Sequence, residues 1–432
     1  MIATLATLVN IMAYLIAPPA GFATVALTLV VVASRRARSR LEKLLTMLLL
    51  TLPLYMVPLL PGLHHFISWT TILLLGLTAV SISRLRRLSP LTLFLMLVIV
   101  SFSVLTGLST DDGSEGWYYL AQFLLLVIPP ALFYESRDWV ASTLDAEAVS
   151  RLFSILVFTL LATALGVIAQ WQLHSRTGMI VGNISFFLQR VTYDLTVPAY
   201  SVLSGLLALG IAIAPTLWRR GRRTMSIVLA TVSAFAIVVN SSRTGLVVGL
   251  LVVGLSLLFP PRGARRFVAR LALIPVGVLG WWLFDYFSTA ANRGSAMQVL
   301  LDDNGRFNTF DRAFELLFSG DDTVLTGVGY ANYPGTPPHN FAVETMASSG
   351  LVAAACVGML AIGLLWYLRG TEWQYAVWSL LAASMFFSGF YAVKAAVVVA
   401  IAMIAFRAAE DKHEEPLRRS AARASASGAS VS

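Results

Sequence analysis

Charge is what this sequence has least of. Only 12% of its 432 residues are Asp, Glu, Lys or Arg, against 57% hydrophobic, and the mean hydropathy is +0.77. A water-soluble domain carries roughly a quarter of its residues charged, so this composition excludes one. Cysteine is almost missing: the single Cys356 lies within an apolar run, which excludes a disulfide framework and a cysteine-based metal site. A phosphate-binding P-loop, an HExxH zinc motif and a G-x-S-x-G nucleophile elbow are also lacking. Any work the protein does must therefore draw energy from its substrate or from a gradient. A basic n-region and a clear cleavage site are lacking after Met1, so the opening apolar run reads as a first span.

What is there in abundance is apolar runs of about 17 to 25 residues, enough to cross a hydrocarbon core about 30 Å thick. They are continuous and do not alternate, which points to helices and not to an outer-membrane barrel. The runs fall at about 2–17, 20–34, 43–61, 65–83, 90–108, 117–134 and 151–172. They resume at about 196–217, 224–240, 244–260, 268–288, 340–367, 373–388 and 390–406. The expected fold is all-α, a polytopic transmembrane bundle of about 12 to 14 spans occupying residues 1–407, followed by a disordered tail over 408–432.

The net charge of +9 is not spread evenly. Clusters at Arg35–Arg40, Arg84–Arg87, Arg219–Arg223 and Arg262–Arg270, with the tail carrying Arg407, Lys412, Arg418 and Arg419, fall on alternate loops. This is the positive-inside pattern, with both termini cytoplasmic and the basic residues anchoring at an anionic leaflet rather than binding nucleic acid. Loops on the other side carry Asp111, Asp112, Glu115, Asp302, Asp303, Asp321 and Asp322. Two external segments are longer than a turn requires, residues 173–195 and 289–339. In the second, Phe307, Phe310, Phe314 and Leu317 recur at helical spacing, which predicts a short amphipathic helix at the outer surface.

A few ionisable residues lie outside the cytoplasmic anchors. Arg243 sits in "VVNSSRTGLVVGL", at a tight junction of two spans. It reads either as a snorkelling interface arginine or, with Ser241, Ser242, Thr244 and a helix N-terminus beside it, as a phosphate receptor. Arg306 follows "DDNG" and either pairs with Asp302 or Asp303 or holds a diphosphate through its planar fork. Arg190 and Arg312 are weaker candidates of the same kind. His339 follows Pro337 and Pro338, stands beside Asn340 and opens a long apolar helix. It is either structural or a general base that takes a proton from a hydroxyl near neutral pH. Lys394, about one turn below the outer end of the last span, either snorkels or pairs with an external acid.

The stretches "NSSRTGL", "NGRFNTF", "LTGVGYANY" and "PPHNFAVETMASSGLV" occur in the order and with the separations seen in the bacterial O-antigen ligase and polymerase superfamily, which the region from Asn240 to Ala355 resembles. That family is similar to the GT-C glycosyltransferases. The resemblance implies transfer of a glycan from an undecaprenyl diphosphate carrier to an acceptor hydroxyl on a glycan, glycolipid or protein. The reaction would take place at the outer face of the bacterial cytoplasmic membrane, without nucleotide sugar, cofactor or metal. It implies diphosphate recognition for Arg243 and Arg306, acceptor activation for His339, and a turn at Gly327 and Gly329. The chain departs from the family where an aromatic-Leu-Gln sequence and an acid before the glycine are favoured: here stand Ala342, Val343, Glu344 and Ser348, with Gly350 retained, and Phe310 replaces a frequent tryptophan. Ligase and polymerase differ only in acceptor. A lipid flippase or transporter is the rival of another class, and it predicts inverted repeats and interrupted helices with charges near the midplane.

Overall fold

A computed structural model of the chain describes residues 37–55, 67–85, 87–108, 113–177, 200–239, 243–258, 278–286, 306–329, 340–385 and 394–412, with isolated positions 28, 31, 289, 295, 297 and 298. Among the described residues the regular structure is entirely helical. In chain order the helices are α1 (Arg40–Leu50), α2 (Trp69–Arg84), α3 (Pro90–Leu108), α4 (Gly113–Glu135), α5 (Arg137–Thr143), α6 (Ala146–Thr177), α7 (Tyr200–Arg219), α8 (Arg223–Val239) and α9 (Arg243–Leu258). They continue as α10 (278–286), α11 (Arg306–Leu317), α12 (Asp321–Thr326), α13 (Phe341–Leu368), α14 (Gln374–Ser384) and α15 (394–412). Three of them, α3, α6 and α13, contain stretches long and apolar enough to cross a membrane, and several shorter apolar helices stand beside them. α3 turns Leu91, Phe94 and Leu97 outward at 58–66% exposure. An apolar outer face of this kind suits lipid and not water.

Most expected spans have a helix near them, but the ends differ for local reasons. The run at 43–61 stops being α-helical at Leu50: Leu52–Leu54 form a 3-10 turn with Pro53, whose missing N–H cannot continue the ladder. Asn340 caps α13 where the run at 340–367 was placed, yet α13 is interrupted at Gly350 (φ 80°, ψ 168°). α15 runs to residue 412, past the expected start of the tail at 408, because Ala408 and Ala409 are buried and Glu410 is held. The span at 2–17, the span at 20–34 apart from positions 28 and 31, and the tail beyond 412 lie outside the described residues.

Polar contacts join loops that the charge pattern puts on one side. Arg38 pairs with Glu147 at 2.7 Å, and Arg151 binds both Glu42 and Glu147 at 2.7 Å, tying α1 to α6. Arg222 donates to Ser154 and Ser150 on α6. Arg220 bridges Glu372 and Glu410 while its guanidinium lies over the rings of Phe153 and Trp373, and the Trp373 indole N–H donates to Glu410 at 2.8 Å. These ties fasten the ends of α6, α7, α14 and α15 together around the fully buried Trp373. Burial is the leading influence on the Glu410 carboxyl and pushes its pKa up, against the opposing effects of Trp373 and Arg220.

Glu42 is almost wholly buried and accepts from the Arg38 backbone N–H as well as from Arg151. Removing Arg151 strands that carboxylate. Arg151→Met is expected to cost about 3 kcal/mol in a thermal or denaturant titration of the purified protein, and the double variant with Glu42→Gln to recover part of it. Equal stability of Arg151→Met and wild type would show that the pair does not hold α1 to α6.

Candidate functional site

The long loop between α10 and α13 folds back onto the break in α13. Three of the quoted motifs meet there. The expected surface helix exists as α11, and its inner face is Phe310, Ala313 and Leu317, with Ala313 and Leu317 at 1% exposure while Phe314 points outward. Ala313 and Phe310 pack against Val343, Met346 and Ala347 at the start of α13. α12 then ends at Gly327 (φ 75°), and the chain passes directly over the break.

Backbone hydrogen bonding explains why the break is stable. In an unbroken helix the carbonyls of Ala347 and Ser348 would accept from residues four positions on. The reversal at Gly350 removes those donors, and Val328 N–H donates to Ala347 O at 2.8 Å and Gly329 N–H to Ser348 O at 3.2 Å in their place. Thr106 at the end of α3 donates to Thr326 O, so the same turn is also tied to α3. Such close backbone approach leaves no room for side chains. A Cβ on Gly327 would lie 2.3 Å from the Ser348 carbonyl, and one on Gly350 would lie 2.0 Å from Leu325 O. Both glycines also have the positive φ and extended ψ that other residues avoid.

The two segments of α13 are not collinear. Gly350 stands beside Leu325 and Thr326, which are level with Thr106 at the end of α3. Cys356, beyond the break, is buried in a cluster with Leu95, Ile99, Leu120, Phe123 and Val127, and Phe341, before the break, packs against that same cluster. In a straight helix residues 341 and 356 would be about 22 Å apart along the axis. The first segment therefore bends back beside α3, and its N-terminus enters the apolar interior. Asn340 caps that terminus, its Oδ1 accepting from Ala342 N–H at 3.0 Å and Val343 N–H at 3.1 Å. Glu344, Thr345, Ser348 and Ser349 put a buried polar stripe along the segment.

The candidate residues fall unevenly on this frame. His339, Arg190 and Ser242 lie outside the described residues. Arg306 is the first residue of α11 and Arg243 the first of α9, and their backbones alone are described. The junction before Arg243 is as tight as its sequence suggests: three residues separate α8 from α9, and a Cβ on Gly245 would meet Ile237 at 2.8 Å and Ser204 at 3.0 Å. α9 packs along α7 and α14, whereas α11 packs on α13. The described contacts thus join the regions of Arg306 and Asn340 directly. Arg312 is exposed on α11. Lys394, at the start of α15, is completely buried and donates to Ser68 Oγ at 3.3 Å, so it does not snorkel. The sequence reading missed the break. Its only signal was a glycine after two serines within an apolar run.

Gly350→Ala is expected to destabilise the protein by about 1–3 kcal/mol from backbone conformation alone, and to expose residues 318–329 to protease. Gly358→Ala, in the same helix with open space around it, serves as the control and should be neutral or stabilising by up to about 1 kcal/mol. Equal thermal stability and proteolysis of Gly350→Ala and wild type would mean that the break does not need glycine.

Neither a scan of protein-family models nor a search of curated proteins finds a match to this chain, so its function rests on its residues and their geometry.

Proposed function

We propose that the protein is an integral membrane glycan transferase of the O-antigen ligase type, working on a lipid-linked donor at the external face of a bacterial cytoplasmic membrane. The observation that carries this reading is the docking of the external loop on the first segment of α13. It makes one unit of α11, led by Arg306, and a capped helix start whose preceding residue in sequence is His339. The polytopic bundle expected from the apolar runs belongs to the same proposal. In its support, Arg38, Arg151, Arg220 and Arg222 and their partners gather loops of a single predicted side, while Thr106, Thr326 and Gly350 gather segments of the other.

Chemically, Arg306 and Arg243 would bind the donor's diphosphate and offset the charge that grows on it as the anomeric carbon–oxygen bond breaks. His339 would take the proton of the acceptor hydroxyl as that oxygen attacks from the opposite face, inverting the anomeric centre. Asn340 has a positioning role: by capping the segment it fixes where the helix begins, two residues after His339. A polymerase would use the same parts with a second lipid-linked glycan as acceptor.

Two observations favour the transporter reading in one respect. An interrupted helix and a buried lysine, Lys394, are features of substrate pathways in transporters. The two classes separate in proteoliposomes loaded with a defined undecaprenyl diphosphate glycan. Transfer to an added acceptor, lost by about 100-fold or more in His339→Ala and Arg306→Ala variants that insert normally, is the expected result. Full transfer by both variants would sink the assignment of those residues. Movement of the donor between leaflets without any transfer would replace the enzyme reading with a flippase.

A further inference from the structure

A groove of about 450 Å³ runs between α3, α4, α13, α14 and α15, within the size range of small-molecule sites. Its walls are apolar, with Leu95, Val127, Leu360, Leu364 and Leu380 among them. Among the described residues that line it, two are charged, and they are of opposite sign: Glu135 at the end of α4 and Arg137 at the start of α5. They flank Ser136 at the end of the bundle where Arg84 lies over Trp139.

These two charges are held in place but not by each other. One oxygen of Glu135 accepts from Ser89 Oγ at 2.9 Å and from Thr92 Oγ1. The guanidinium of Arg137 lies 4.5 Å from the centre of the Tyr134 ring and donates through Nη1 to Tyr134 O at 3.2 Å. Among the described residues neither forms an ion pair. An anchored anion and an anchored cation two residues apart, both lining an apolar groove, complement a molecule with an apolar chain and both charges in its head.

We propose that this groove binds an amine-bearing glycerophospholipid, with one acyl chain along the apolar walls, its phosphate at Arg137 and its ammonium at Glu135. The groove adjoins the proposed transferase unit, since Phe341 beside the Asn340 cap also lines it, but the lipid reading goes beyond glycan transfer and needs only that the chain be embedded in a membrane. The head would lie at the leaflet that the basic loops face. A bound lipid would fill the space between α3–α4 and α13–α15, coupling the helix that carries the break to its neighbours.

The test uses the full chain purified in mild detergent and offered equimolar dioleoyl phosphatidylethanolamine and phosphatidylglycerol, with retained lipid read by native mass spectrometry. The two share chains and phosphate and differ in the amine. Wild type is expected to keep the ethanolamine lipid over the glycerol lipid by about tenfold, the worth of one hydrogen bond to a charged group. Glu135→Gln should bring that preference to parity, and Arg137→Gln should lower retention of both. Gly363 lines the groove and has open space around its Cα, so Gly363→Phe should occlude the site and abolish retention with helicity unchanged by circular dichroism. Three results would overturn the proposal: equal retention of the two lipids by wild type, an unaltered preference in Glu135→Gln, or capture of the chain's own residues 1–36 by a photo-crosslinker at position 363.

Discussion

Two backbone hydrogen bonds, from Val328 and Gly329 to Ala347 and Ser348, are the constraint on which the described site depends. A helix within an apolar medium cannot leave carbonyls without donors, each of which would cost about 1–3 kcal/mol. An interruption is tolerated only where another piece of backbone supplies the missing N–H groups. Here that piece comes from a loop remote in sequence, and it can approach closely enough only because Gly327 and Gly350 have no side chains. The loop and the helix start are therefore a single unit.

That unit sets the direction of everything around it. The first segment of α13 is turned back beside α3, its N-terminus is capped by Asn340, and α11 rests on its flank through Ala313 and Phe310. At the far end of the helices the fastening is ionic and aromatic instead. Arg151 with Glu42, and Arg220 with Glu372, Glu410 and Trp373, hold loops that lie far apart in sequence. The bundle is thus tied by backbone contacts at one end and by arginine forks at the other, with apolar packing between.

Much of the helical framework could be read directly. Continuous apolar runs have one stable form in a lipid-like medium, and α3, α6 and α13 appear where such runs were placed, within a few residues. The helical spacing of Phe307, Phe310, Phe314 and Leu317 likewise foretold α11, although Phe314 is exposed and the buried face centres on Ala313 and Leu317. Pro53 shortened α1, and the burial of Ala408 and Ala409 lengthened α15. Both shifts reflect local chemistry that an apolar count does not weigh.

The sequence by itself determined the helical class and the approximate positions and lengths of the helices, because these follow from composition and from continuous apolar runs. Only the tertiary structure decided that Gly350 breaks α13, that Gly327 sits against Ser348, and that Lys394 is buried against Ser68. It alone showed that Glu135 and Arg137 line one groove. Each of these depends on which distant segment satisfies a backbone group or approaches a side chain, and such pairings leave no periodic trace in a single chain.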